Sequence, residues 1–257
     1  MVVGLDIFRD FFKGFEDSYL IIGGTACDII IEGEGFTPRA TNDIDLILIV
    51  EALTPEFVKH FWDFVAAGQY TQKQKDMERQ NCYRFLNPRT AGFPVQIELF
   101  SKTPGAIELY EDAHLTPIPV AEGLSSLSAI LLDEDYYNYT IEHSTIDGNV
   151  HYANTEALIC LKAFAYLDNK KRKEQGAAIR TRDIVKHKND VFRMVFMLKP
   201  DDRFPLSGEI KEILQLFADT VKNDLPDPQI FNNNGFGRQN MQSLFGQFIQ
   251  IFNLNAE

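Results

Sequence analysis

The chain has 257 residues, of which 45% are hydrophobic, and a formal net charge of −12. This length allows one large or two modest domains with a substantial core. The acidic balance argues against general coating of nucleic acid, which depends on cationic side chains. No apolar run approaches the roughly 18 residues of a membrane span, and the first residues lack the basic start of a secretion signal. We therefore expect a cytoplasmic protein with no membrane partner.

In chain order, the first 153 residues alternate between amphipathic helices and short apolar strands. The predicted helices cover 5–16, 23–31 and 55–67, and the predicted strands cover 19–22, 43–50, 82–87, 94–100 and, as short edge strands, 127–132 and 149–152. Thr54 is expected to cap the third helix, with Pro55 at its first position.

From residue 154 the pattern becomes helical. Helices are predicted at 155–173, 176–198 and 207–223, and an apolar stripe over 244–252 is expected to join the core or a dimer contact. A boundary near 153 therefore divides the chain into an α/β domain, 1–153, and a helical domain, 154–257. The fold class is α+β, a mixed β-sheet with flanking helices followed by a helical C-terminal region.

The spacing of the three cysteines does not suggest a disulfide framework. Cys27, Cys82 and Cys160 are widely spaced and odd in number, and none belongs to a Cys-x-x-Cys pair. This pattern predicts reduced thiols rather than disulfides or a zinc site.

The first strand runs directly into Gly23-Gly24-Thr25 at the start of a helix. Glycines let the backbone approach a ligand closely, and the start of a helix offers free N–H groups to an anion. We expect Gly23, Gly24 and the Thr25 hydroxyl to form a phosphate-binding turn.

Two aspartates, Asp43 and Asp45, begin the next strand. Residues i and i+2 of a strand point to the same side, so the two carboxylates project together and repel each other. Mg²⁺ suits such a pair, because it binds one or two carboxylates together with waters and substrate phosphates. The motif therefore points to phosphoryl or nucleotidyl transfer.

A third carboxylate is available on a neighbouring strand. Glu98 lies in the alternating stretch 93–100 and shares a strand face with Gln96. We expect Asp43, Asp45 and Glu98 to form the metal site.

At these motifs the chain resembles the nucleotidyltransferase superfamily that includes DNA polymerase beta. The segment Arg39-x-Thr41-x-Asp43-x-Asp45-Leu46 looks most like the branch of AbiEii/AbiGii-type nucleotidyltransferase toxins. Lys162 fits that branch's helix lysine. Its Lys-Asp-x-x-Asp motif reads Lys186-His187-x-x-Asp190 here, so His187 replaces the first acid.

The resemblance implies a nucleotidyltransferase-like fold and transfer of a nucleoside monophosphate from an NTP to a hydroxyl or phosphate. Two Mg²⁺ ions at Asp43, Asp45 and Glu98 would serve the reaction, with Lys162 neutralising the triphosphate. The implied catalytic set also includes Asp190, and the implied nucleotide-binding set is Gly23, Gly24, Thr25, Arg39, Thr41 and Lys162. The implied acceptor is RNA or a protein, within a toxin-like role that has a cognate antitoxin. A small-molecule acceptor stays open.

Other interpretations are also open. Arg39 could be a surface residue in an ion pair, Lys162 could reach solvent from an apolar helix, and Asp190 could pair with Lys186 in its own helix. The ten basic residues within 162–193 could form a solvated helix face or a positive wall for a triphosphate or an RNA end. His187 favours a non-catalytic nucleotide-binding module, whereas an Asp-x-Asp phosphohydrolase is disfavoured because Leu46-Ile47-Leu48 continues as a strand.

Overall fold

The structure is a computed structural model that describes residues 2–39, 41–70, 82–101, 133–206, 208–232 and 234–255. The strands are β1 Tyr19–Ile22, β2 Asp43–Leu48, β3 Cys82–Leu86, β4 Gln96–Phe100, β5 Ser144–Asp147 and β6 Val150–Ala153. The helices are α1 Leu5–Phe11, α2 Gly23–Gly33, α3 Pro55–Gly68, α4 Glu134–Glu142, α5 Thr155–Glu174, α6 Thr181–Met197, α7 Gly208–Val221, α8 Gln229–Asn232 and α9 Met241–Ile251.

The described strands form one mixed sheet in the order β3-β4-β2-β1-β6-β5. β2 is antiparallel to β1 and parallel to β4, while β6 is parallel to β1. β1 and β2 are mostly apolar and occupy the centre, where every residue of β1 is buried. This centre places the start of α2 beside the carboxylates of β2.

The hydrophobic core continues from the sheet into the C-terminal helices. α2 packs on both β2 and α5, and α5 packs extensively on α6. The buried cluster includes Leu20 and Ile47 of the sheet together with Leu161 of α5 and Phe192 of α6. The fold is thus α+β as expected, and α2 links the sheet to the C-terminal helices. The division into domains at residue 153 stays a prediction.

Two predicted helices are shorter than expected because glycines interrupt them. α1 ends at Phe11 rather than 16, ahead of Gly14, whose φ is 91°. The helix predicted over 176–198 begins at Thr181, after Gly176, which has a φ of 95° and ends the preceding helix with its N–H donating to the carbonyl of Lys173. Positive φ values are accessible to glycine and break the helical path.

The region before α5 differs most from expectation. β6 corresponds to the strand predicted at 149–152 but lies inside the sheet, between β1 and β5, rather than at its edge. α4 and β5 were not predicted, although Asp133 caps α4 by accepting N–H bonds from Asp135 and Tyr136. The strand predicted at 127–132 lies outside the described residues.

The capping prediction for α3 is confirmed. The Thr54 hydroxyl accepts the N–H of Phe57 at 3.1 Å, and Pro55 occupies the first turn. None of the helices in the described ranges has the length and apolar run that a bilayer span needs.

Candidate active site

The Gly23-Gly24 turn is shaped by two close approaches of protein atoms. Gly23 has a φ of 73°, and a Cβ added to it would overlap the Asp45 carboxylate. A Cβ on Gly24 would lie 2.8 Å from Oγ1 of Thr41. The absence of side chains at this turn therefore lets β2 and the segment before it approach the start of α2.

Thr25 has a structural contact. Its side chain is fully buried, and its hydroxyl donates to the backbone carbonyl of Asp43. Gly24 lines the pocket described below, whereas Gly23 and Thr25 are not among its lining residues. The predicted role of the Thr25 hydroxyl in phosphate binding is not tested by this contact, but the bond ties α2 to the first residue of β2.

Asp28 organises the segment that carries Arg39 and Thr41. Its buried carboxylate accepts the backbone N–H of Arg39 at 3.3 Å and that of Thr41 at 2.7 Å. Sequence reasoning missed this residue. The available signal was an acid on the apolar helix 23–31, where a buried carboxylate requires hydrogen-bond donors.

One side of the pocket, the strand wall, consists of Asp43 and Asp45 of β2 with Gln96 and Glu98 of β4. The two strands are parallel, and their register pairs Asp43 with Gln96 and Asp45 with Glu98. All four residues line one pocket. The structure thus brings the three predicted metal-binding carboxylates to the same side of two adjacent strands.

Glu98 already has protein partners. It is 4% exposed, its Oε1 accepts a hydrogen bond from Nε2 of Gln96 at 2.7 Å, and Nη2 of Arg84 pairs with the same oxygen. Arg84 lies directly opposite Glu98 on β3. Burial raises the pKa of Glu98, and Arg84 offsets part of this effect. Sequence reasoning missed Arg84, although a basic residue on the neighbouring strand was a usable signal.

The Asp45 carboxyl lies among protein atoms and keeps some solvent contact through the pocket. Desolvation, followed by repulsion from Glu98, raises its pKa to about 8; Lys162 counteracts the shift and Asp43 adds to it. Such a pKa means that the folded protein disfavours the ionised form of Asp45, and a bound cation would stabilise that form.

The opposite side, the helix wall, consists of Lys162 and Asn169 of α5 with Lys186 and His187 of α6. Lys162 is buried, and its Nζ lies 3.5 Å from Oδ2 of Asp190. Lys162 therefore does not reach bulk solvent; it faces the pocket across from the carboxylates.

Asp190 is the counter-ion of three cations. Besides Lys162, its carboxylate pairs with Arg39 at 3.4 Å and Arg193 at 3.0 Å. Burial alone would raise the pKa of Asp190, but attraction by Lys162, Arg39 and Arg193 holds it below its usual value. Asp190 does not line the pocket, whereas Arg39 and Lys162 do. Arg193, which sequence reasoning did not identify, completes this cluster.

His187 and Lys186 face the pocket from consecutive positions of α6. His187 is 6% exposed, and burial, Lys162 and Lys186 hold its pKa well below the usual value, so the imidazole is neutral. Desolvation at the wall and the nearby charges of Lys162 and Arg39 lower the pKa of Lys186. The expected acid is thus replaced by a neutral ring among cations.

The walls enclose a pocket of about 470 Å³, within the size range of small-molecule sites. Two buried polar atoms of its lining residues, Oγ1 of Thr41 and Nδ1 of His187, have no hydrogen-bond partner among the described residues. Buried polar atoms are usually satisfied, so these two fit contacts with a ligand or water.

A divalent cation fits the donor chemistry of Asp43 and Asp45, but the three acids do not form a closed cage. Within the described residues, no group of three or more His, Cys, Asp or Glu side chains is arranged to hold a metal ion. Glu98, the third acid, is paired with Arg84. Two carboxylates, open to a pocket with room for waters and phosphates, are a donor set that Mg²⁺ accepts.

Comparison with known proteins yields little at the level of sequence. No family model matches the chain, and no curated protein does. Among solved structures it is similar to an antigenic nucleotidyltransferase-like protein from Paracoccidioides brasiliensis, with 16% identity and a TM-score of 0.44. The alignment covers 93% of this chain and 94% of that one.

Proposed function

We propose that the protein is a metal-dependent nucleotidyltransferase that moves a nucleoside monophosphate from an NTP to an acceptor hydroxyl or phosphate. The observation that carries this proposal is that an acidic wall and a basic wall face each other across one pocket. The carboxylates of Asp43 and Asp45 suit a divalent cation. The positive side chains of Arg39, Lys162 and Lys186 suit the polyphosphate that such a cation accompanies.

In this proposal, a bound Mg²⁺ would supply charge neutralisation and activation of the attacking oxygen. Asp43 and Asp45 hold it, and Glu98 is the ligand available for a second ion. Lys162 and Arg39 neutralise the triphosphate from the other side, and Asp190 keeps both cations in place. Thr41 and His187 offer the remaining polar contacts to the nucleotide.

The finer assignment is also a proposal. The Arg39 to Leu46 motif supports the AbiEii/AbiGii-type branch and hence a toxin-like role with RNA or protein as acceptor and an antitoxin as partner. Of the basic residues near 170–182, Arg180 and Arg182 pair with Asp183 at the pocket, so this positive surface adjoins the place where an acceptor would enter.

The proposal is tested by calorimetric titration of ATP, GTP, CTP and UTP with Mg²⁺ into the wild type and Asp43→Asn. Binding of one NTP that requires Mg²⁺ and is lost in the variant is the expected result. Asp63→Asn is a matched control, because Asp63 is exposed on α3 and pairs only with Lys59 in the contacts described. Labelled NTP then reports transfer to candidate acceptors.

A second candidate is a non-catalytic nucleotide-binding module. The engagement of Glu98 by Arg84 favours it, because the third carboxylate is not free in this structure. Mg²⁺-dependent NTP binding without formation of pyrophosphate, with RNA and protein acceptors present, would select this candidate.

A further inference from the structure

Arg84 is placed by strand pairing to hold Glu98. β3 and β4 are antiparallel, and the register sets Arg84 directly opposite Glu98 and Leu86 opposite Gln96. Both Arg84 and Gln96 contact Oε1 of Glu98. Cross-strand pairs of opposite charge stabilise a sheet, and a buried carboxylate with a guanidinium partner is costly to separate.

The other two acids differ from Glu98 in this respect. In the described part of the chain, no Lys, Arg or His nitrogen lies within ion-pair distance of Asp43 or Asp45; their neighbours across the sheet are Gln96, Glu98 and, for Asp45, Ile22. The strand wall therefore contains one acid with an internal counter-ion and two without. Two uncompensated carboxylates match the charge of a single divalent cation.

We propose that Arg84 is a positioning residue that occupies Glu98, so that the protein without nucleotide binds one divalent cation, at Asp43 and Asp45. A second ion at Glu98 must compete with the Arg84 guanidinium, which already neutralises that carboxylate. This inference rests on the proposed metal-dependent function, and it assigns Arg84 the control of how many ions the site takes.

The partial exposure of Arg84 makes displacement of its guanidinium feasible. Its side chain is 27% exposed, and its Nε is buried without a hydrogen-bond partner among the described residues. The guanidinium is therefore held mainly through Glu98. The guanidinium can move toward solvent when a second metal ion, arriving with a polyphosphate, competes with it for Glu98.

The test is titration with Mn²⁺ alone, with free Mn²⁺ measured by electron paramagnetic resonance and folding verified by circular dichroism. We expect one ion in the wild type and two in Arg84→Gln, with the second ion bound about tenfold more tightly than any second ion in the wild type. Arg9→Gln, which removes an exposed arginine of α1, is the control and should match the wild type.

Glu98→Gln gives an independent arm, which decides the question if Arg84→Gln does not fold. It should bind one ion with an affinity within about twofold of the wild type, because Glu98 does not hold the first ion in this proposal. Loss of that ion in Glu98→Gln overturns the inference. Two ions in the wild type, with affinities unchanged in Arg84→Gln, also overturn it but leave the proposed function intact. Absence of Mn²⁺ binding in both proteins also overturns the inference, whereas the proposed function is decided separately by the titration of NTP with Mg²⁺.

Discussion

Asp45 of the strand wall and Asp190, which lies behind the helix wall, are both close to other charged groups, but their pKa values shift in opposite directions. Asp45 has a raised pKa because it is desolvated beside Glu98 and Asp43, whereas cations outweigh desolvation at Asp190 and lower its pKa. The cations of the helix wall thus have a counter-charge in Asp190, while Asp43 and Asp45 of the strand wall have none among the described residues. This difference separates a carboxylate that stabilises the fold from carboxylates available to a ligand.

The largest expected effect is a loss of folding stability when the counter-ion behind the helix wall is removed. Asp190→Ala leaves Lys162, Arg39 and Arg193 without their shared counter-ion, and breaking a buried ion pair typically costs about 3 to 5 kcal/mol. Urea unfolding should show a loss of this order, with Asp63→Ala within about 0.5 kcal/mol of the wild type. A loss below about 1 kcal/mol would remove the distinction between the walls.

A smaller loss of folding stability is expected from a substitution in the Gly23-Gly24 turn, which contacts the strand wall. Gly23→Ala places a methyl group against Asp45 at a φ of 73°, a strain worth about 1 to 3 kcal/mol. The displaced carboxylate should also weaken Mg²⁺-dependent NTP binding about tenfold, measured by calorimetry. Gly33→Ala, at the open end of the same helix, is the matched control and should be neutral or slightly stabilising. Equal behaviour of the two variants would contradict the role of Gly23.

Asp45→Asn should change stability in the opposite sense from Asp190→Ala. It removes a carboxylate that the folded state disfavours as an anion. The free energy of unfolding at pH 8 should therefore rise by at least about 1 kcal/mol, because even one unit of the raised pKa corresponds to about 1.4 kcal/mol. Metal-dependent nucleotide binding should disappear in the same variant. Destabilisation comparable to that of Asp190→Ala would show that Asp45 is a structural residue.

The smallest expected effect is the pH dependence of the stability that Asp190 contributes. Because the folded-state pKa of Asp190 is lowered, its ionised form favours folding; this contribution is complete above the unfolded pKa and declines as pH falls toward the folded pKa. The stability difference between the wild type and Asp190→Asn should be constant above about pH 5 and about 0.4 kcal/mol smaller near pH 3.9, where half of the unfolded aspartate is protonated. Denaturant titrations at several pH values measure this difference. Its growth on acidification would contradict the assignment.

The sequence predicted the parts of the site that depend on local spacing. The alternation in strands placed Asp43 and Asp45 on one side of β2 and Glu98 with Gln96 on β4, and the structure places all four in one pocket. It also places Lys162 on a buried helix face opposite them. Their roles in catalysis and metal binding stay predictions.

Contacts between distant segments could not be predicted in the same way. A basic residue on the predicted strand 82–87 signals a cross-strand ion pair, but its spacing does not identify Glu98 as the partner of Arg84, since the partner depends on the register of β3 against β4. The sharing of Asp190 by Arg39, Lys162 and Arg193 likewise depends on how α5, α6 and the segment before β2 pack together. The two glycines were assigned to phosphate approach, whereas their close neighbours are Asp45 and Thr41.

The segment that carries Arg39 is also anchored near the far end of the chain. The backbone N–H of Thr37 donates to the carbonyl of Asn234, the Asn234 side chain donates back to the carbonyl of Thr37, and Arg193 donates to the Asn234 side chain. During synthesis, the sheet residues emerge from the ribosome long before Asn234 does. The pocket therefore reaches its final form only late in translation, so a nascent or truncated chain that ends before this anchor can contain the carboxylates without the correctly seated arginine.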